Sequence, residues 1–142
     1  MAFKGTHAMR LPQLFISTLV AALVLFLAGT AFSQEPPQTF SAREFWQKFE
    51  NNRHKAEDEF IGKTMTFTGV VVETGMSIYL TPNVRLSDSP DGPIYVICVL
   101  PRAEAGTLSK YKKGDRVAMK GRVYSSKSGR GVVIKECRPV EL

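Results

Sequence analysis

Residues that carry most catalytic and metal chemistry are scarce in this sequence. Two of its 142 residues are cysteine, Cys98 and Cys137, and two are histidine, His7 and His54. One histidine outside the N-terminal segment and two cysteines distant in sequence do not make a tetrahedral zinc set. Asp88 and Asp91 fall in SDSPDG and read as turn residues rather than cation ligands. No nucleophile-elbow pattern and no Gly-rich phosphate loop occurs, so acyl and phosphoryl transfer have no visible parts. The expectation is a protein without catalytic residues, metal or cofactor, and so not an enzyme.

Nor does a cysteine lie near the apolar stretch at the N-terminus, which excludes lipid attachment to an N-terminal cysteine. What is there has the layout of an export signal. Lys4, His7 and Arg10 form a basic head, LFISTLVAALVLFLA (Leu14–Ala28) is uncharged, and Ala31-Phe32-Ser33 meets the small-x-small rule of signal peptidase. Residues 1–33 therefore read as a signal peptide cleaved after Ser33, with Ala31 as second choice. The alternative is an uncleaved anchor, because Leu14 to Phe32 approaches the ~20 apolar residues of a spanning helix. The expected location is periplasmic or secreted, with membrane contact only if this segment is retained.

Acidic residues are sparse in one part of the remainder. From Gln34 the chain has 109 residues, enough for one small domain. Gln34–Leu100 holds 6 basic and 9 acidic residues, whereas Pro101–Leu142 holds 11 and 4, a net +7. Such asymmetry suits a polyanion or an anionic membrane surface. Lys and Arg that merely solubilise exposed strand faces account for the same numbers.

Residues 34–39 read as a proline-bearing linker, and 40–142 as the folded domain. Ser41 with Glu44 forms a capping box, and Phe40 with Phe45 the hydrophobic staple around it. Phe45, Trp46, Phe49, Ala56 and Phe60 recur at helical spacing, with the polar run Asn51 to Lys55 placed to bend or break the helix. From Thr64 the period becomes two. Five strands are predicted: Thr64–Glu73, Met76–Leu80, Ile94–Leu100, Arg116–Tyr124 and Val132–Arg138. Thr74-Gly75 reads as a tight turn, Thr81 to Pro93 as a long loop, Arg102 to Asp115 as room for a short helix, and Ser125 to Gly131 as a basic hairpin loop.

Two of the strands share one layout. In GKTMTFTGVVV and GDRVAMKGRVY, Gly62 matches Gly114, Met65 matches Val117, Phe67 matches Met119, Gly69 matches Gly121 and Val71 matches Val123. Glycine inside a strand marks a bulge or a barrel corner. Long bent strands in first and fourth place, with a helix between the third and fourth, give the order of a five-stranded OB-fold barrel, here over about 62–142. The fold class is therefore mainly β, an OB barrel preceded by an amphipathic helix.

The chain from Asn52 to Leu142 also resembles the tRNA-anticodon-binding-like OB-fold family of small exported proteins. The resemblance rests on Asn52, Ala56, Phe60, Gly62 and Lys63 at their spacing, then TFTGVV, IYVICVL with Cys98, LSKYKKGDRVAMKGRV, and GVVIKECRPVEL with Cys137. Departures are the missing lipid-attachment cysteine and Phe60 where the family usually has an aromatic hydroxyl. The resemblance implies the OB fold and nucleic-acid binding.

OB domains commonly bind through their second and third strands and the loops joining strands one to two and four to five. On the predicted strands that surface offers Tyr79 and Tyr95 as stacking rings, with Arg85, Tyr124, Lys127 and Arg130 to meet phosphates. Neighbouring third and fifth strands would let Cys98 and Cys137 form a disulfide, the alternative being two separately buried thiols. Strand-five register leaves both open, because Val132 and Ile134 alternate one way and Val133 and Cys137 the other. Two functions follow: an exported module for single-stranded nucleic acid or another polyanion, or an envelope protein-interaction scaffold.

Overall fold

Antiparallel and parallel pairings close one sheet on itself. The structure is a computed structural model that describes residues 38–125 and 131–142. Its elements in chain order are β1 (Thr39–Ser41), α1 (Ala42–Asn51), α2 (Arg53–Phe60), β2 (Thr64–Met76), β3 (Pro82–Ser87), β4 (Val96–Val99), a 3-10 helix (Arg102–Lys110), β5 (Arg116–Ser125) and β6 (Val132–Val140). The strands run β1-β2-β3-β4-β6-β5, and pairing of β2 with β5 closes a five-stranded barrel to which β1 adds a short parallel edge. This is the OB-fold arrangement expected from the sequence. Pro36–Leu142 forms one compact unit.

The first helix starts where its chemistry dictates. Ser41 Oγ accepts from the Glu44 N–H, and Glu44 accepts from the Ser41 N–H at 3.0 Å, completing the capping box. The bond from the Ser41 N–H, and after it hydrogen bonding from the Ser41 side chain, holds the Glu44 carboxyl below its ordinary value. The staple is present as a Phe40–Phe45 ring contact at 5.6 Å. Asn52 ends α1 in an extended conformation, then caps α2 through its side chain, so the polar run does break the helix. Phe45 meets Phe49, Phe60 and Phe67 edge-on, which seats both helices on the barrel's apolar interior. Such edge contacts are preferred by the ring quadrupoles.

The repeated layout of β2 and β5 is a local two-fold. The strands pair antiparallel with Met65 opposite Gly121, Phe67 opposite Met119 and Gly69 opposite Val117. Each strand's glycine thus faces the residue that its own layout would match at the start of the other strand. Gly62 and Gly114, which precede the two strands, both take positive φ (86° and 93°), a region that glycine enters without a Cβ clash. Gly121 serves close approach instead. A Cβ there would lie 2.6 Å from Ile134 Cγ2 and 2.9 Å from both Cys137 Sγ and the Lys135 carbonyl oxygen. Opposite it, β6 is bulged: Lys120 pairs with Arg138 and Arg122 with Lys135, so Glu136 and Cys137 together face one residue.

That bulge resolves the register of β6. Glu136 sits at φ 56°, and the extra residue returns Cys137 to the inside after Ile134, so both are fully buried. Cys98 on β4 lies opposite Ile134 and is buried in the same core as Cys137, whose Sγ reaches the Ile134 carbonyl at 3.6 Å. Both cysteines are free thiols in the structure. Burial, then the neighbouring Cys98 side chain, pushes the Cys137 thiol far above its ordinary range.

One strand assignment is corrected. Met76–Leu80 is not the second barrel strand, and Thr74-Gly75 is not a turn, because β2 runs on to Met76. The second barrel strand is β3, Pro82–Ser87, inside the stretch read as a loop. Its proline, asparagine and serine looked turn-forming, yet Val84 and Leu86 alternate inward and Pro82 occupies the first position, where a missing N–H is tolerated. The apolar run Ile78-Tyr79-Leu80 is the connecting turn and faces solvent.

Candidate anion-binding face

The predicted site residues divide into separate places. Tyr79 is at the β2–β3 turn, where its carbonyl accepts from Arg102 Nη2 at 2.9 Å, just past the C-terminal end of β4. Tyr95 stands before the opposite end of β4, its N–H bonded to the Leu86 carbonyl. The length of β4 separates them, so the two rings do not share a stacking platform. Tyr95 instead borders a groove of about 580 Å³ with Arg43, Trp46, Gln47 and Glu50 of α1. Arg85 is engaged by Glu73 across the β2–β3 pair. Lys127 and Arg130 lie outside the described residues.

Tyr124 has different company. On β5 the exposed residues Lys120, Arg122 and Tyr124 occur at every second position and therefore share the outer face. On β6, Arg138 lies opposite Lys120 and Lys135 opposite Arg122. Lys135 Nζ rests 3.4 Å from the Tyr124 ring centre, a cation–π contact that fixes the ring beside the charge. Thr64 of β2 continues the row across Arg122, and Lys120, Arg122 and Arg138 line a groove of about 400 Å³ with Thr64 and Pro139.

Four cations, Lys120, Arg122, Lys135 and Arg138, thus occupy adjacent positions on two strands. One acid is among them, Glu136, which meets Arg122 at 3.3 Å. Among the described residues Lys120 and Arg138 enter no ion pair. The face therefore carries net positive charge beside an exposed aromatic ring, which suits an anionic chain bearing flat groups. The +7 of the C-terminal part was visible in the sequence. That four of its cations converge on one face depends on the β6 bulge, which the sequence does not announce. His54 is exposed on α2, and Asp88 and Asp91 each face a cation, Arg43 at 3.1 Å and Lys113 at 2.6 Å.

The sequence profile of the tRNA_anti-like family matches residues 10–138. The chain belongs to the tRNA_anti-like family. No curated protein matches it. Among solved structures, this family member is similar to one from Klebsiella pneumoniae named as a candidate nucleic acid-binding lipoprotein. They share 19% identity with a TM-score of 0.61, over 74% of this chain and 92% of that one. An OBody bound to hen egg-white lysozyme matches with 20% identity and a TM-score of 0.48, over 75% and 92% of the two chains. A protein from Leishmania major named as a candidate aspartyl-tRNA synthetase matches over 87% of this chain and 26% of its own, with 13% identity and a TM-score of 0.47. The first comparison shows the fold of the family member. Among the described residues no helix is long and apolar enough to cross a membrane.

Proposed function

We infer that the protein is an exported OB-fold binding module, not an enzyme, and that it holds single-stranded nucleic acid or a similar polyanion against the outer face of β5 and β6. The observation that carries this reading is the cluster of Lys120, Arg122, Lys135 and Arg138 with Tyr124 fixed among them. A strand of phosphates would neutralise the cations, and one base would stack on the tyrosine. The signal layout of residues 1–33 and the lipoprotein name of the Klebsiella structure support an envelope location. That name also supports nucleic acid as the anionic partner.

The test is fluorescence anisotropy with a short oligodeoxythymidine across a salt series. Each lost phosphate contact should flatten the salt slope by ~0.7, so K120Q/R138Q should flatten it by roughly 1.4. Y124A should lose roughly 5- to 150-fold at every salt concentration, the equivalent of ~1–3 kcal/mol for one stacked base. Unchanged affinity and slope in the K120Q/R138Q/Y124A variant would remove this face from the account.

A further inference from the structure

The β2–β3 turn presents a second surface with opposite character. Met76, Ile78, Tyr79 and Leu80 are 47, 88, 71 and 69% exposed, a continuous apolar tip. The last β2–β5 pair is Val70 with Arg116, and beyond it β2 pairs with β3 alone, so the tip projects past the closed barrel. No inward-facing position is available to these side chains, and the turn is far from the β5–β6 cations along the strand.

The tip is a fixed shape. Ser77 Oγ lies 2.5 Å from Thr81 Oγ1 and accepts from the N–H groups of Tyr79 and Thr81. The Ser77 N–H donates to the Thr81 carbonyl and the Leu80 N–H to the Ser77 carbonyl. Leu80 is held at φ 57°, a left-handed conformation that crowds its Cβ. The loop therefore spends strain to keep Leu80 beside Ile78 and Tyr79 in the open.

Two features select the partner. Of the backbone groups of Ile78, Tyr79 and Leu80, the N–H groups of Tyr79 and Leu80 are bonded within the loop and the Tyr79 carbonyl is bonded to Arg102, which lowers the cost of a shallow insertion. The exposed Arg102 guanidinium marks the base of the tip, at the depth where phosphates lie when apolar side chains dip into a bilayer, and a tyrosine ring suits that interface.

We propose that the Ser77–Thr81 turn inserts Ile78, Tyr79 and Leu80 into the surface of an anionic phospholipid bilayer, with Arg102 against the headgroup phosphates. This contact does not depend on the nucleic-acid reading and needs no retained N-terminal segment. It would hold the barrel at the membrane with the β5–β6 face free.

The test uses the chain from Gln34, whose folded unit has its own core, with W46F/Y79W as the reporter. Trp46 is the sole tryptophan of the sequence, so this variant carries one indole, at the tip. On phosphatidylcholine vesicles containing phosphatidylglycerol, the indole emission should shift to the blue and be quenched by lipids brominated on their acyl chains. I78S/L80S should partition at least about tenfold more weakly, while keeping the parent's melting temperature because both side chains are exposed. R102Q should weaken binding to anionic vesicles more than to neutral ones. The proposal is overturned if vesicles leave the indole emission of W46F/Y79W unchanged. It is equally overturned if the protein binds them with that emission unquenched, which would assign binding to the cationic face, or if I78S/L80S binds as the parent does.

Discussion

Replacing Gly121 by alanine tests the packing on which both the barrel closure and the cationic face depend. The added Cβ would meet Ile134 Cγ2 at 2.6 Å, Cys137 Sγ at 2.9 Å and the Lys135 carbonyl oxygen at 2.9 Å. Carbon atoms in comfortable contact are ~3.5–4.0 Å apart, so the overlap with Ile134 approaches about 1 Å. Ile134 and Cys137 are both fully buried, and the third contact is backbone. No side chain can swing away; β6 itself must shift at its bulge. Overpacking of this kind costs ~1–3 kcal/mol, and the backbone clash places G121A in the upper part of that range. For a domain of this size each kcal/mol moves Tm by ~4–8 °C, giving a fall of roughly 10–20 °C. G106A is the internal control, since nothing lies within 4 Å of its added Cβ. Thermal unfolding followed by circular dichroism checks both. G121A melting within about 2 °C of the parent would refute the close-approach argument.

In protein folded under reducing conditions, Cys137 should resist alkylation at a pH where an exposed thiol reacts, because burial raises its pKa and depletes the thiolate; urea should expose it. Protein recovered from an oxidising compartment is expected to carry the Cys98–Cys137 bridge, and thiol counting after denaturation without reductant should then find none free. The Glu44 pKa is depressed in the folded state, so the capping-box contribution is present above the ordinary value of 4.5 and lost as pH falls through the lower folded value; E44Q should flatten this acid limb of the stability–pH curve. Mass spectrometry of exported protein should give an N-terminus at Gln34 or Phe32, and an intact Met1 in a membrane fraction would contradict cleavage.

Local chemistry was legible where it is self-contained. Ser41, Glu44, Phe40 and Phe45 specify the start of α1 among themselves, and the matched glycines of β2 and β5 marked the two long bent strands of a closed barrel. The second barrel strand was not legible, because PNVRLS carries turn-forming residues while MSIYL carries strand-forming ones. Propensity there was overruled by position: Val84 and Leu86 find the core, and Ile78 and Leu80 project beyond it. A run of apolar residues left outside by the fold is where local preference and global structure disagree, and such disagreements concentrate at functional surfaces. Likewise the direction of Cys137 follows from one bulged residue, Glu136, whose left-handed backbone has no signature in composition or period. The cationic face shares that dependence, since Arg138 lies beside Lys120 only after the bulge has shifted the register.

The most direct test of the binding account is a residue-resolved map of the interface. Amide chemical shifts of isotope-labelled protein should be followed while a short oligodeoxythymidine is added. The account predicts the largest changes at Lys120, Arg122, Tyr124, Lys135 and Arg138, with Arg85, Ile97 and Val99 on β3 and β4 little affected. Changes confined to β3 and β4, or none at saturating oligonucleotide, would contradict it.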